Sequence, residues 1–295
     1  MIEEIITKEY AKFLLPEREQ NSNKGTFGSV LNISGSINYR GAAFLSTKSA
    51  LKTGAGYVEL ASINEVINSV SVLCPEAVFI PLEQNRGMIK ASEYRKILEI
   101  LPKIKVLLFG CGISSMNKDQ TEIEEFTKNL LEKIKDIKIP VIIDSDALNI
   151  ISRLKITKLP QKTIITPHPM ELSRLLGIDV FEIQQDRVKY AKIAAEKYKA
   201  IVVLKGQNTV ITNGEKVYIN KNGNSALAKA GTGDVLAGII SGFCAQGADY
   251  FDGAVLGVYI HGLAGDIISE QLTQYGVNAS ELIDFIPNAI YKILA

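Results

Sequence analysis

Short runs of aliphatic and β-branched residues alternate along this chain with stretches whose apolar positions recur at helical spacing. The runs Val30–Ile33, Tyr57–Leu60, Ala77–Ile80, Val106–Phe109, Val141–Asp144, Thr163–Thr166 and Ile201–Leu204 read as strands. Several are continuously apolar, as expected of strands covered on both faces of a parallel sheet. Between them, Ile123, Phe126, Leu130, Leu131 and Ile134 share one helical face, with Lys and Glu on the other. Val188, Ala191, Ala194, Ala195 and Tyr198 repeat that spacing. This alternation predicts a doubly wound α/β fold, a mostly parallel central sheet with helices on both faces. Later, Thr209–Thr212 and Lys216–Ile219 flank Asn213-Gly214. Asn-Gly suits a type I′ turn, so a hairpin is expected and the sheet should turn antiparallel at one edge. From Phe251 to Ala295 the spacing is mostly helical. No linker, low-complexity tract or repeat interrupts residues 1–295, which read as a single domain.

Composition narrows the classes of function. Of the 295 residues, 46% are hydrophobic and 22% charged, ordinary for a globular enzyme. A formal net charge of +1 gives no electrostatic case for a nucleic-acid partner or an anionic membrane. The charged N-terminal stretch does not read as a signal peptide. The longest apolar run, Val235–Ala248, is glycine-broken and too short to span a bilayer. Cys74, Cys111 and Cys244 are odd in number and widely spaced, which reads as reduced thiols and a cytoplasmic setting. Two histidines, His168 and His261, are too few for a His-rich metal site. His261, inside an apolar helical pattern, reads as structural.

The stretch Asn224–Gly242, NSALAKAGTGDVLAGIISG, carries the clearest chemistry. The turn Gly231-Thr232-Gly233-Asp234 runs straight into an apolar helical pattern. Glycines let the backbone approach a ligand, and the first-turn N–H groups of a helix favour an anion. Asp234 then either caps the helix or acts as a base on a substrate hydroxyl. In open parallel sheets ligands bind beyond the carboxyl ends of the strands, and five such ends here carry small or polar residues. They are Ser34–Ala43, Gly110-Cys111-Gly112, Asp144–Asn149, Thr166–Glu171 and Lys205–Thr209. Asp144 or Asp146, Asp146 above all, reads as the cap of the helix after their strand, although a carboxylate at a strand end could instead hold Mg²⁺ through water. His168, between two prolines on a stiff loop, is either a satisfied structural histidine or a ligand contact, and the rigid loop at a strand end favours the contact. Lys205 and the backbone after it can meet phosphates. A P-loop is excluded, and a Rossmann dinucleotide fingerprint is disfavoured.

These pieces together resemble the NAD(P)H-hydrate dehydratase family, the nucleotide-dependent repair enzymes of the ribokinase-like fold. The matching segments are Lys24–Gly28 with Ser34–Ser36, Gly41–Ala43, Leu51–Gly56, Asp144–Asn149, Thr166–Glu171, Val203–Gly206, and Gly223-Asn224 through Ala230–Asp234. Three positions depart from the family pattern. Cys111 stands where proline is usual, Met170 where glycine is usual, and Ser145 where alanine is commoner. The chain looks like the stand-alone form, without a fused epimerase domain. The resemblance implies phosphorylation of the C6 hydroxyl of the S-form of hydrated NADH or NADPH, then loss of phosphate. ADP is the expected donor, with ATP the alternative and Mg²⁺ the expected ion, for which no protein ligand set is assigned. Asp234 would be the base, and the Gly231–Gly233 amides would stabilise the transferring phosphoryl group. Ala42, Gly112, His168 and Asp234 would contact the hydrated dinucleotide. Lys205, Gly206, Gln207, Asn208, Thr209 and Gly233 would bind the nucleotide. A homotetramer and a separate epimerase partner are also implied. The alternative is a vitamin-precursor kinase of the same fold.

Overall fold

The computed structural model describes residues 3–295. Its strands are β1 (Glu3–Ile5), β2 (Ser29–Ile33), β3 (Tyr57–Ile63), β4 (Val78–Leu82), β5 (Gln84–Asn85), β6 (Met88–Ile89), β7 (Val106–Phe109), β8 (Val141–Ile143), β9 (Thr163–Ile165), β10 (Ile201–Leu204), β11 (Thr209–Thr212) and β12 (Val217–Asn220). Ten of them form one sheet in the order β1-β12-β11-β10-β9-β8-β7-β2-β3-β4, while β5 and β6 make a small antiparallel ribbon. Within the large sheet only β11 runs against the rest.

The continuously apolar strands are explained by two separate cores. Successive side chains point to opposite faces. Leu31, Ile33, Leu107, Phe109, Val141 and Ile143 therefore enter one core, and Val30, Val106, Leu108, Ile142 and Ile164 the other. The helices Thr121–Lys133, Asp146–Arg153, Pro169–Leu176 and Arg187–Tyr198 cover the first face. The helices Thr232–Ala245, Tyr250–Gly276, Ala279–Asp284 and Ile286–Leu294 cover the second. Tyr250–Gly276 is long and apolar enough to cross a membrane, but here most of its apolar stretch is buried against the rest of the fold. Its regular turn breaks at Thr273, where φ is 60°.

The helix Arg40–Thr53 lies unusually close to Thr232–Ala245. A Cβ at Gly238 would fall 1.9 Å from Ser49 Oγ and 2.4 Å from the Ser46 carbonyl oxygen. One at Gly242 would fall 2.7 Å from Thr53 Cβ. Only glycine permits this approach. The facing Ser46, Ser49 and Thr53 donate their hydroxyls to carbonyls one turn back, at 2.7, 2.7 and 2.8 Å, so no polar group is stranded at the contact.

One local expectation is corrected. The hairpin β11–β12 forms, but Asn213 does not adopt positive φ, so the turn is not type I′. Asn213 Oδ1 instead accepts from the Glu215 and Lys216 amides at 3.0 and 2.8 Å, an Asx turn spanning a longer loop. The sheet turns antiparallel toward this edge as expected, and β1 pairs in parallel beyond β12.

The chain leaves β2 in two directions, through β3 to β4 on one side and through β7 onward on the other. The boundary between β2 and β7 is thus the topological switch point, where ligands gather in open α/β sheets. The two loops that leave it are tied together by Gly35 N–H donating to the Cys111 carbonyl at 2.8 Å.

Candidate functional site

The helix Thr232–Ala245 begins at this switch point. Gly231 is its N-cap, with φ at 92°, a left-handed conformation natural to glycine. Thr232 Oγ1 donates to the carbonyls of Leu227 and Lys229 at 2.8 and 2.9 Å, which fixes the incoming loop. His261 Nε2 donates to the Thr232 carbonyl at 2.9 Å. Burial pushes the His261 imidazole down to about 4, so it serves as a neutral strut, the structural role expected of it. The preceding loop is held from the long helix, where Asp266 accepts from Gly223 N–H and Asn224 Nδ2, both at 2.9 Å.

Asp234 does not cap this helix. It is the third helical residue and makes no capping bond; the Thr232 amide turns back to the Lys229 carbonyl at 3.4 Å, and no side chain caps the Gly233 amide beside it. Its carboxyl faces two other side chains. One oxygen of Asp234, one of Asp144 and Cys111 Sγ all lie within 4.8 Å of one another. Burial, then the negative charge of Asp144, raises Asp234 to about 7, against the opposing pull of Lys205 and the Cys111 thiol. A carboxyl held there can accept a proton near neutral pH, as a general base must.

Lys205 is the cation of the cleft. Its Nζ donates to Asp144 Oδ1 at 2.7 Å and lies 3.9 Å from Glu171 Oε2. Burial works against its charge, but Asp144 and Glu171 more than offset that and raise its pKa. A Cβ placed on Gly233 would sit 3.3 Å from Lys205 Nζ. The ammonium therefore lies directly beside the helix N-terminus, and the two form one positive pocket next to the Asp234 carboxyl. Thr166 Oγ1 also donates to Asp144 Oδ1 at 2.7 Å, and Lys205 N–H donates to the Pro167 carbonyl at 2.9 Å. The ends of β8, β9 and β10 are thereby locked together.

His168 caps the helix Pro169–Leu176. Its Nδ1 accepts from the amides of Met170 and Glu171 at 3.1 and 3.4 Å, while Glu171 Oε2 accepts from His168 N–H at 2.8 Å. Burial, then Lys205, lowers its pKa, so the ring is neutral at pH 7. The ring remains about half exposed toward the cleft, at 47%. Met170 completes this cap from the helix side without disturbing it. Ala42 and Gly112 meet directly: a Cβ on Gly112, whose φ is 63°, would lie 2.8 Å from that of Ala42. In the segment after β10, Gly206 and Asn208 have φ of 137° and 55°, and Gly206, Gln207 and Asn208 are exposed. Thr209 Oγ1 closes this loop by donating to the Gly206 carbonyl at 2.9 Å.

Asp146 does not cap its helix, contrary to expectation. Ser145 occupies the cap position with φ at 55°. The Asp146 carboxylate instead accepts from Ser114 N–H at 3.0 Å and ties the loop after β7 to the loop after β8. Two contributors escaped sequence reasoning. Arg187 Nη2 donates to the carbonyls of Leu204 and Lys205 at 2.9 and 3.1 Å, bracing the exposed loop from behind. Glu171, placed in its loop but given no role, is the second carboxylate beside Lys205. No local signal marks Arg187, which stands on a different helix.

The trio Cys111, Asp144 and Asp234 does not fit a protein-held Mg²⁺. That ion takes an octahedral set of oxygens, whereas the trio offers a thiol and a carboxylate already bound to Lys205 and Thr166. Burial first, then the two aspartates, pushes the Cys111 thiol well above its usual range. It is therefore protonated and no ligand for a hard cation.

Residues 30–288 match the family model described as NAD(P)H-hydrate dehydratase. The chain is 36% identical over 281 residues to a bifunctional NAD(P)H-hydrate repair enzyme from Thermofilum pendens, an alignment that covers 94% of this chain and 52% of that protein. The chain thus spans about half the length of such bifunctional relatives. It is 31% identical over 283 residues to an ADP-dependent (S)-NAD(P)H-hydrate dehydratase from Bacillus subtilis, covering 95% of each. The crystal structure of the ADP/ATP-dependent dehydratase from Bacillus subtilis, co-crystallised with ATP and Mg²⁺ and soaked with CoA, superposes with a TM-score of 0.82 at 28% identity. That superposition covers 99% of this chain and 100% of that one. The fold is ribokinase-like, as the motifs implied. By the extent of these matches, the chain belongs to the NAD(P)H-hydrate dehydratase family.

Proposed function

We propose that this protein restores NADH and NADPH from the S-form of their hydrates, using ADP to phosphorylate the C6 hydroxyl and then expelling phosphate. One observation carries the reading: a carboxyl poised near pH 7, Asp234, shares a pocket with an uncapped helix N-terminus and the Lys205 ammonium. A base and an anion hole side by side suit phosphoryl transfer to an alcohol, which depends chiefly on positioning and charge stabilisation.

In this reading Asp234 takes the hydroxyl proton while the C6 oxygen bonds to the β-phosphorus of ADP and AMP departs. The amides of Gly231–Gly233 and the Lys205 ammonium stabilise the equatorial oxygens. The ring nitrogen's lone pair then expels phosphate from C6, and loss of a C5 proton restores the double bond. Ala42, Gly112 and His168 hold the hydrated ring. Lys205 and the exposed Gly206–Thr209 loop, with Gly233, hold the nucleotide. Mg²⁺ enters with the nucleotide, carried by its phosphates and water. A tetramer, a cytoplasmic location and a separate epimerase that supplies the S-epimer belong to the same reading and rest on the family resemblance.

The test is an assay on chemically hydrated NADH with ADP and Mg²⁺, with ATP in parallel, that follows recovery of the dihydronicotinamide absorbance. Recovery with one molar equivalent of phosphate is expected, and Asp234→Asn should abolish it. A phosphorylated product that accumulates without phosphate release would instead mark a kinase.

A further inference from the structure

Next to the loops after β7 and β8 lies a cavity of about 550 Å³, lined by Tyr39, Ser114, Ser115, Asn149, Arg153 and Arg174 among others. Its size suits a small-molecule subsite. None of the residues assigned above to the hydrated ring lines it, but it adjoins them. A Cβ on Gly112 would lie 2.7 Å from Tyr39 Cβ, so the cavity begins where Ala42 and Gly112 end. The exposed Lys205–Thr209 loop lies on a different strand end, after β10.

The charges of this cavity are suited to an anion. Arg174 Nη1 donates to Asn149 Oδ1 at 2.7 Å, and among the described residues no carboxylate forms an ion pair with Arg174. Its remaining N–H groups form the planar fork that binds phosphate oxygens in pairs. Arg153 is anchored through Nε to Glu124 Oε1 at 2.8 Å, which leaves its two terminal nitrogens available. The lining carboxyl, Asp146, is occupied by the Ser114 amide. Two guanidiniums from different helices thus line one cavity that adjoins Gly112 through Tyr39.

We propose that this cavity receives the pyrophosphate of the hydrated dinucleotide, with Arg174 and Arg153 as its anion contacts. The proposal rests on the dehydratase reading above. With the ring beside Asp234 and against the wall that Ala42 and Gly112 form together, the dinucleotide's phosphates extend into this cavity, while the phosphoryl donor approaches from the Lys205 loop.

The experiment compares hydrated NADH with hydrated reduced nicotinamide riboside, which carries the same ring and hydroxyl but no phosphate. Wild-type turnover of hydrated NADH comes first, and its absence would sink the dehydratase reading itself. Given that turnover, wild type should prefer the dinucleotide. Arg174→Gln retains a donor for Asn149 but loses the charge. It should lower kcat/KM for hydrated NADH by roughly tenfold to hundredfold, mainly through KM, as expected of a lost charged hydrogen bond. The riboside should be unaffected. Glu124→Gln frees Arg153 at an exposed ion pair and should lower the dinucleotide KM about twofold to fivefold, which also serves if Arg174→Gln does not fold. Equal losses on both substrates would show that Arg174 acts through the fold and would overturn the proposal. So would unchanged KM for the dinucleotide in either variant.

Discussion

Asp234→Asn should inactivate the protein and make it more stable. The folded chain raises this carboxyl from its ordinary 3.8 to about 7, first by burial and then by the charge of Asp144. At about 1.4 kcal/mol per pKa unit, ionising it in place withholds about 4 kcal/mol of folding free energy. The sign follows from comparing the two states. Above pH 4 the unfolded carboxyl ionises freely while the folded one resists, so the penalty grows between about 4 and 7 and is constant above that. An isosteric amide removes the charge but also weakens the contact with the Cys111 thiol, which brings the expected gain to about 2–4 kcal/mol at pH 8. The gain should fall below about 2 kcal/mol at pH 5 and vanish near pH 3. For 295 residues, an unfolding entropy of about 0.6 kcal/mol/K converts this into a rise in Tm of about 3–7 °C at pH 8. Thermal unfolding of both proteins at pH 8 and pH 5 measures it. An Asp234→Asn variant no more stable than wild type at pH 8, or one whose gain does not shrink at pH 5, would refute the view that this carboxyl is electrostatically strained.

The same carboxyl sets the pH dependence of turnover: kcat/KM should rise with pH through about 7 and then level, because the base acts deprotonated. Lys205→Met leaves Asp144 and Glu171 buried without their cation, and urea unfolding at pH 8 should show a loss of roughly 3–5 kcal/mol. Gly110→Ala forces a Cβ to within 2.2 Å of the Asp144 carbonyl oxygen at a φ of 121°, so the variant should lose soluble expression or activity. Cys111, buried and held as the thiol, should resist iodoacetamide in the native protein and react only after unfolding, as mass spectrometry would show.

The central strands were legible because burial on both faces leaves a continuous apolar run, and β7 and β10 begin and end where the pattern does. The strand β1 was not legible. Glu3, Glu4 and Ile5 are exposed, and their order comes from β12, more than two hundred residues away. Asp234 and Lys205 could be singled out as candidates because each stands in a local motif. What the motifs could not reveal is pairing: Lys205 is held by Asp144 and Glu171, and Cys111 faces both aspartates, across tens of residues of sequence. Asp146 misled for a related reason. An aspartate opening a helix suggests a cap, yet a neighbouring loop amide outcompeted its own helix. Arg187 and Arg174 act from helices whose sequence spells only an amphipathic pattern.

The glycine-mediated contact between Arg40–Thr53 and Thr232–Ala245 joins the two helices that open with Ala42 and Asp234. The width of the reaction cleft is therefore gauged by main chain against main chain, with almost no compressible side-chain layer between. Such a gauge transmits little thermal play from rotamer exchange, so Asp234 keeps its distance from Ala42 as the surface fluctuates. It also makes Gly238 and Gly242 calibration points. A single methyl there would act as a wedge far from any ligand, and the opening it changed would be the one in which chemistry occurs.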